Sequence, residues 1–111
     1  MNRVGLITGA SRGLGVELAG FLAKRSYDLV LTARGNEGLE ATARALEKFG
    51  GGILAVAGDV SDTDHRIRLA ESAESLGGLD LLVNIDSGVE KQPGAMERVM
   101  QTLGLKQPTG V

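Results

Sequence analysis

The sequence predicts an α/β fold, a parallel sheet with helices packed on both of its faces. Short apolar runs recur four times, near residues 3, 28, 53 and 79. The segments between them carry apolar residues at helical spacing. Glycine accounts for 17 of the 111 residues, against a usual share of about 7%. Most of these glycines fall where one kind of segment gives way to the other.

Arg3 to Thr8 forms a first strand, apolar enough to be buried on both faces and stopped at Gly9. Leu14, Leu18, Phe21 and Leu22 then repeat at helical spacing, giving a helix over about residues 14–24. Lys24 and Arg25 lie at its C-terminal end, where positive charge meets the negative pole of the helix dipole. Asp28 to Ala33 is a second strand. Leu39, Ala43, Leu46 and Phe49 mark a second helix, which Gly50, Gly51 and Gly52 end.

Ile53 to Ala57 is the third strand, and Ser61 or Asp62 supplies the N-cap of a third helix. Leu69, Ala73 and Leu76 anchor that helix and Gly77-Gly78 closes it. His65 is expected on its exposed side, with Asp64, Arg66, Arg68, Glu71 and Glu74. Residues 79–84 are the fourth strand, ending at Asn84. Strand-helix alternation of this kind calls for right-handed crossovers in a sheet ordered 3-2-1-4. Residues 1–84 therefore read as one unit, and 85–111 as a divergent C-terminal segment with one short helix near 95–103.

Composition excludes several classes of function. A net charge of -2 argues against a nucleic-acid binder that neutralises many phosphates. With no cysteine and a single histidine, a zinc site is not expected. No apolar run approaches the roughly 20 residues that span a bilayer. The N-terminus does not have the form of a signal peptide, so the expected setting is cytoplasmic.

The chemistry concentrates between the first strand and the first helix, in Thr8-Gly9-Ala10-Ser11-Arg12-Gly13-Leu14-Gly15. Glycines spaced G-x-x-x-G-x-G let a chain turn sharply out of a strand, admit a diphosphate to the backbone, and start a helix with free N–H groups facing the anion. Gly9 would serve the turn, Gly13 the close approach, and Gly15 the packing of helix against strand. A glycine-rich βα turn with no ligand is the plain alternative. Its place inside a βαβ unit favours dinucleotide binding.

At these residues the chain resembles the short-chain dehydrogenase/reductase family. Thr8 to Gly15 is similar to its T-G-x-x-x-G-x-G motif. Asp59-Val60 resembles its Asp-Val pair after the third strand, and Asp80-Leu81-Leu82-Val83-Asn84 the start of its D-x-L-V-N-N-A-G segment. The resemblance runs over residues 3–84. It implies the truncated half of a doubly wound, Rossmann-like fold that binds NAD or NADP for oxidoreduction of alcohols and ketones. The cofactor-binding residues it implies are Gly9, Ser11, Arg12, Gly13, Leu14, Gly15, Arg34, Asp59, Val60 and Asn84. Asp59 would meet the adenine amino group, and Val60 the ring.

Counting about 20 residues past the glycines reaches Ala33 and Arg34, with no acid to accept a ribose 2′-OH. The planar fork of Arg34, with Arg12 on the same side, suits a 2′-phosphate. NADP (NADPH) is thus expected over NAD.

The family's catalytic Tyr-x-x-x-Lys pair and its serine are missing. The only tyrosine, Tyr27, has Leu31 four residues on, so no catalytic residue is expected here. The departure begins at Ile85-Asp86-Ser87, where the family has N-A-G. A carboxylate about 6 Å from a diphosphate would cost up to roughly 3 kcal/mol at an effective dielectric near 20.

Three functions fit this pattern. The first is an oxidoreductase reduced to cofactor binding, the second a non-catalytic nucleotide-binding or regulatory module, and the third an inactive remnant. An unpaired edge on strand four would favour self-association or a partner strand. Met96, Val99, Met100 and Leu103 have the helical spacing of a segment that could cover that edge. A truncated or frame-shifted tail is the alternative.

Overall fold

The computed structural model describes residues 2–85. Its elements run β1 (Val4–Thr8), α1 (Gly13–Lys24), β2 (Asp28–Thr32), α2 (Asn36–Leu46), β3 (Ile53–Ala55), α3 (Thr63–Ser75) and β4 (Leu81–Val83), with a 3-10 turn at Glu47–Phe49 after α2. The four strands form one sheet in the expected order, β3-β2-β1-β4. Every neighbouring pair is parallel. Leu6, for instance, stands opposite Val30 on one side and Leu82 on the other. The region expected to form a short helix near 95–103, together with Asp86 and Ser87, lies outside the described residues.

Alternation along the strands builds two separate cores. Ile7, Leu29, Leu31 and Val83 pack with Leu18 and Leu22 of α1 and with Leu39 and Leu46 of α2. Val4, Leu6 and Val30 point through the sheet to the other face and meet Leu69 and Ala73 of α3. Helices thus cover both faces, which explains why β1 and β2 read as unbroken apolar runs. Tyr27 is buried in the first core just before β2.

Two strands are shorter than their apolar runs suggest, yet their pairing continues past their ends. The Val56 N–H donates to Leu31 O at 2.9 Å, and that of Gly58 to Ala33 O at 3.0 Å, extending the β3 ladder. The Asp80 N–H donates to Val4 O at 2.9 Å ahead of β4. Carboxylates pin the strand starts. Asp80 Oδ2 accepts from the Val4 N–H, and Asp28 Oδ1 accepts from the Gly52 N–H, each at 2.8 Å.

The N-cap of α3 is Asp62, whose side chain accepts from the Asp64 N–H at 3.0 Å. The expectation for His65 fails. His65 is fully buried against the sheet, because residues 65, 69 and 73 lie on one stripe of α3. Its charged neighbours in sequence point outward from the same turn. Among the described residues β4 pairs only with β1, and Leu82 on the α3 side of the sheet is 56% exposed.

Candidate dinucleotide site

Parallel strands all end on the same side, and the order in which successive strands are laid down reverses between β1 and β4, the usual position of a ligand crevice in such folds. A groove of about 730 Å³ opens at that end. Thr8, Thr32, Gly58 and Asn84 line it from the ends of the four strands. Gly9, Ser11, Arg12, Arg34 and Val60 supply much of the remaining wall.

The loop entering α1 has the backbone form that its glycines suggest. Gly9 and Gly13 adopt positive φ, +66° and +58°, a conformation that a side chain disfavours. A side chain at Gly15 would run into the carbonyl of Gly9, so helix and turn touch backbone to backbone. Leu14 is buried beneath the loop. Arg12 occupies the N-cap of α1 and makes no side-chain cap, and no acid stands in the first turn. The free N–H groups of that turn therefore retain their hydrogen-bonding capacity and the positive pole of the helix.

Arg12 and Arg34 are both exposed on the groove wall, with Gly35 beside Arg34. From Ala33 through Asn36 the β2–α2 connection carries no carboxylate. Val60 is 40% exposed, leaving its apolar side chain open to a flat ring.

Six of the ten residues named from the sequence line the groove: Gly9, Ser11, Arg12, Arg34, Val60 and Asn84. Gly13, Leu14 and Gly15 shape the loop from behind. Asp59 turns to its own chain. Its Oδ1 accepts from both the N–H and the hydroxyl of Ser61 at 2.9 Å. These two bonds, with a smaller attraction from Arg34, hold its carboxyl below the ordinary aspartate value.

Two polar contacts were not foreseen. The Thr8 hydroxyl donates to Asn84 Oδ1 at 2.6 Å and accepts from the Ile85 N–H at 2.8 Å, joining the ends of β1 and β4. His65 Nε2 lies 2.8 Å from Thr32 Oγ1 beneath the groove. The i, i+4, i+8 register with Leu69 and Ala73 was the available signal for His65. Tyr27, at the N-terminal end of β2, sits at the opposite end of the strand from Thr32 and the groove.

The model of the short chain dehydrogenase family matches residues 3–102. That match runs past Asn84, further than the motifs alone reach. A ketoacyl reductase, HetN, from Nostoc is 40% identical over 86 residues, which are 77% of this chain and 30% of that protein. The structure of L-sorbose reductase from Gluconobacter frateurii, complexed with NADPH and L-sorbose, matches with a TM-score of 0.72 at 41% identity, covering 78% of this chain and 34% of that one. An actinorhodin polyketide ketoreductase variant with NADPH gives a TM-score of 0.70 at 34% identity, covering 76% and 33%. The chain thus spans about a third of the length of these relatives. With the family pattern matched along most of its length, the chain belongs to the short-chain dehydrogenase/reductase family.

Proposed function

We propose that this chain is the dinucleotide-binding part of an NADP-dependent oxidoreductase, with residues 1–84 as the binding unit and 85–111 as a separate, divergent segment. The observation that carries this reading is the uncapped N-terminus of α1 opening on a groove whose wall holds Arg12 and Arg34 and no acid from the β2–α2 connection. A diphosphate is bound by free N–H groups at such a helix end, and a 2′-phosphate by arginine. The positive-φ Gly9 turns the end of β1 so that its backbone lines the groove. The presence of NADPH in the L-sorbose reductase and ketoreductase structures supports the same choice.

In this reading Gly9, Ser11, Gly13, Leu14 and Gly15 form the diphosphate loop. Arg12 and Arg34 hold the 2′-phosphate, Asp59 and Val60 flank the adenine, and Asn84 forms the floor beside β4. The cofactor, when bound, supplies hydride for interconverting alcohols and ketones. The chain's own residues bind and orient it. A proton donor of the Tyr-x-x-x-Lys kind is not encoded in these 111 residues, so the proposed role is binding rather than turnover.

The edge of β4 that pairs with no strand among the described residues, with Leu82 beside it, is the proposed point of self-association or of pairing with a partner strand, and the proposed setting is cytoplasmic. Among the described residues no helix is long and apolar enough to cross a membrane. Fluorescence titration with NADPH and NADH tests the central reading. Tighter binding of NADPH is expected. Equal affinities, or no binding of either, would overturn it.

A further inference from the structure

His65 is fully buried on α3, and its ring packs between Thr32 at the end of β2 and Gly58 in the turn after β3. Nε2 lies 2.8 Å from the hydroxyl of Thr32, itself fully buried at the end of β2. On the other side the ring fits so closely under Gly58 that an added methyl would stand 2.6 Å from Cε1. The Gly58 N–H donates to Ala33 O at 3.0 Å, which joins the strand end leading into Arg34 to the turn leading into Val60. Nδ1 is buried and has no hydrogen-bond partner among the described residues. An apolar side chain would fill the same space but leave the buried Thr32 hydroxyl without its partner, so the histidine makes a polar contact that packing alone does not require.

We propose that His65 is a positioning residue for the nucleotide end of the groove. Its ring fixes the separation of the Arg34 loop and the Val60 turn by bonding Thr32 and wedging beneath Gly58. The ring proton sits on Nε2, which donates to Thr32 Oγ1. Nδ1 is then an unpaired acceptor, which is less costly to bury than an unpaired N–H. The geometry stands on the contacts just described. Its effect on ligand rests on the dinucleotide reading.

The test uses the full chain, with 2′,5′-ADP as probe and backbone amide spectra as a readout independent of ligand. Thr32→Val keeps the shape and removes the hydroxyl. It is expected to weaken 2′,5′-ADP about five- to tenfold, the usual range for one hydrogen bond. It should also move the amides of Arg34, Gly58 and Val60 while leaving that of Leu22 in place. Thr32→Ser should restore both. His65→Leu should match Thr32→Val, and the double variant should lose nothing more, because both changes break one contact. A long-range proton–nitrogen spectrum should show His65 protonated at Nε2.

Unchanged amides at Arg34, Gly58 and Val60 in Thr32→Val, losses that multiply in the double variant, or a proton on Nδ1 would overturn the proposal. If His65→Leu does not fold, the Thr32 pair and the ring spectrum decide it. If the unaltered chain does not bind 2′,5′-ADP, the dinucleotide reading fails, and the amide and ring spectra alone judge the role of His65.

Discussion

The hydroxyl of Thr8 bridges two strand ends that are far apart in sequence, donating to Asn84 Oδ1 at 2.6 Å and accepting from the Ile85 N–H at 2.8 Å. One side chain thereby fixes the position where the strand order reverses, on the floor of the groove. Thr8→Val keeps the shape and breaks both bonds, leaving the Ile85 N–H and Asn84 Oδ1 without that partner. Stability should fall by about 1–3 kcal/mol, read as the urea midpoint, and NADPH affinity should fall with it.

Gly15 offers a sharper case. A methyl there would enter the carbonyl of Gly9, and neither α1 nor the end of β1 can retreat without disturbing the first core. Gly15→Ala is expected to cost about 3 kcal/mol or more, well beyond the effect of a compatible glycine-to-alanine change. A thermal melt reads it directly. Gly20, with nothing within 4 Å of its added methyl, is the control and should tolerate alanine in α1.

Arg34→Asp places a carboxylate where a ribose 2′-OH would be and removes the partner of a 2′-phosphate. NADPH should weaken by about 1.5–3 kcal/mol, the value of a charged hydrogen bond, and NADH should become the tighter ligand. Paired titrations of the two cofactors before and after the change measure the reversal.

The Asp59 carboxyl accepts two hydrogen bonds from Ser61 in its charged form, so its titration midpoint should lie below the ordinary 3.8. A depressed folded value means that the turn is stabilised above the unfolded value and loses that support as pH falls through the folded one. Carboxyl chemical shifts followed below pH 4 give the midpoint. Ser61→Ala removes the hydroxyl bond and should raise it.

Purified chain should not oxidise NADPH with a panel of ketones. Tyr27, its only tyrosine, is buried before β2, and hydride transfer without a proton donor leaves an alkoxide that nothing stabilises. Measurable turnover by contaminant-free protein would refute this.

The sheet and its strand order were legible because β1 and β2 are buried on both faces, and burial writes itself into a run such as Leu29-Val30-Leu31. The phosphate loop was legible because Gly9 and Gly13 need a backbone conformation that few other residues accept. His65 was obscured by its neighbours. Asp64 and Arg66 made the start of α3 look like a solvated face, and only its phase with Leu69 and Ala73 betrays an inward position. The Asp59–Ser61 contact lay hidden for another reason. A short acid in a turn can bond its own backbone or a ligand, and the sequence is the same for both.

The central place of β1 carries a consequence for how the chain assembles. β1 is the first strand in the chain and pairs with both β2 and β4. Its partner Asp28 arrives 24 residues after Val4, whereas Leu81 arrives 76 residues after Gly5. Closing the longer loop costs only about 1 kcal/mol more in chain entropy, but it cannot begin until β4 has left the ribosome. Throughout that interval Gly5, Leu6 and Ile7 present one open edge, and the Thr8 hydroxyl has no Asn84 to bond. The slow, long-range step in folding should therefore be the docking of β4, and the nascent chain is most exposed to mispairing just before Asn84 emerges.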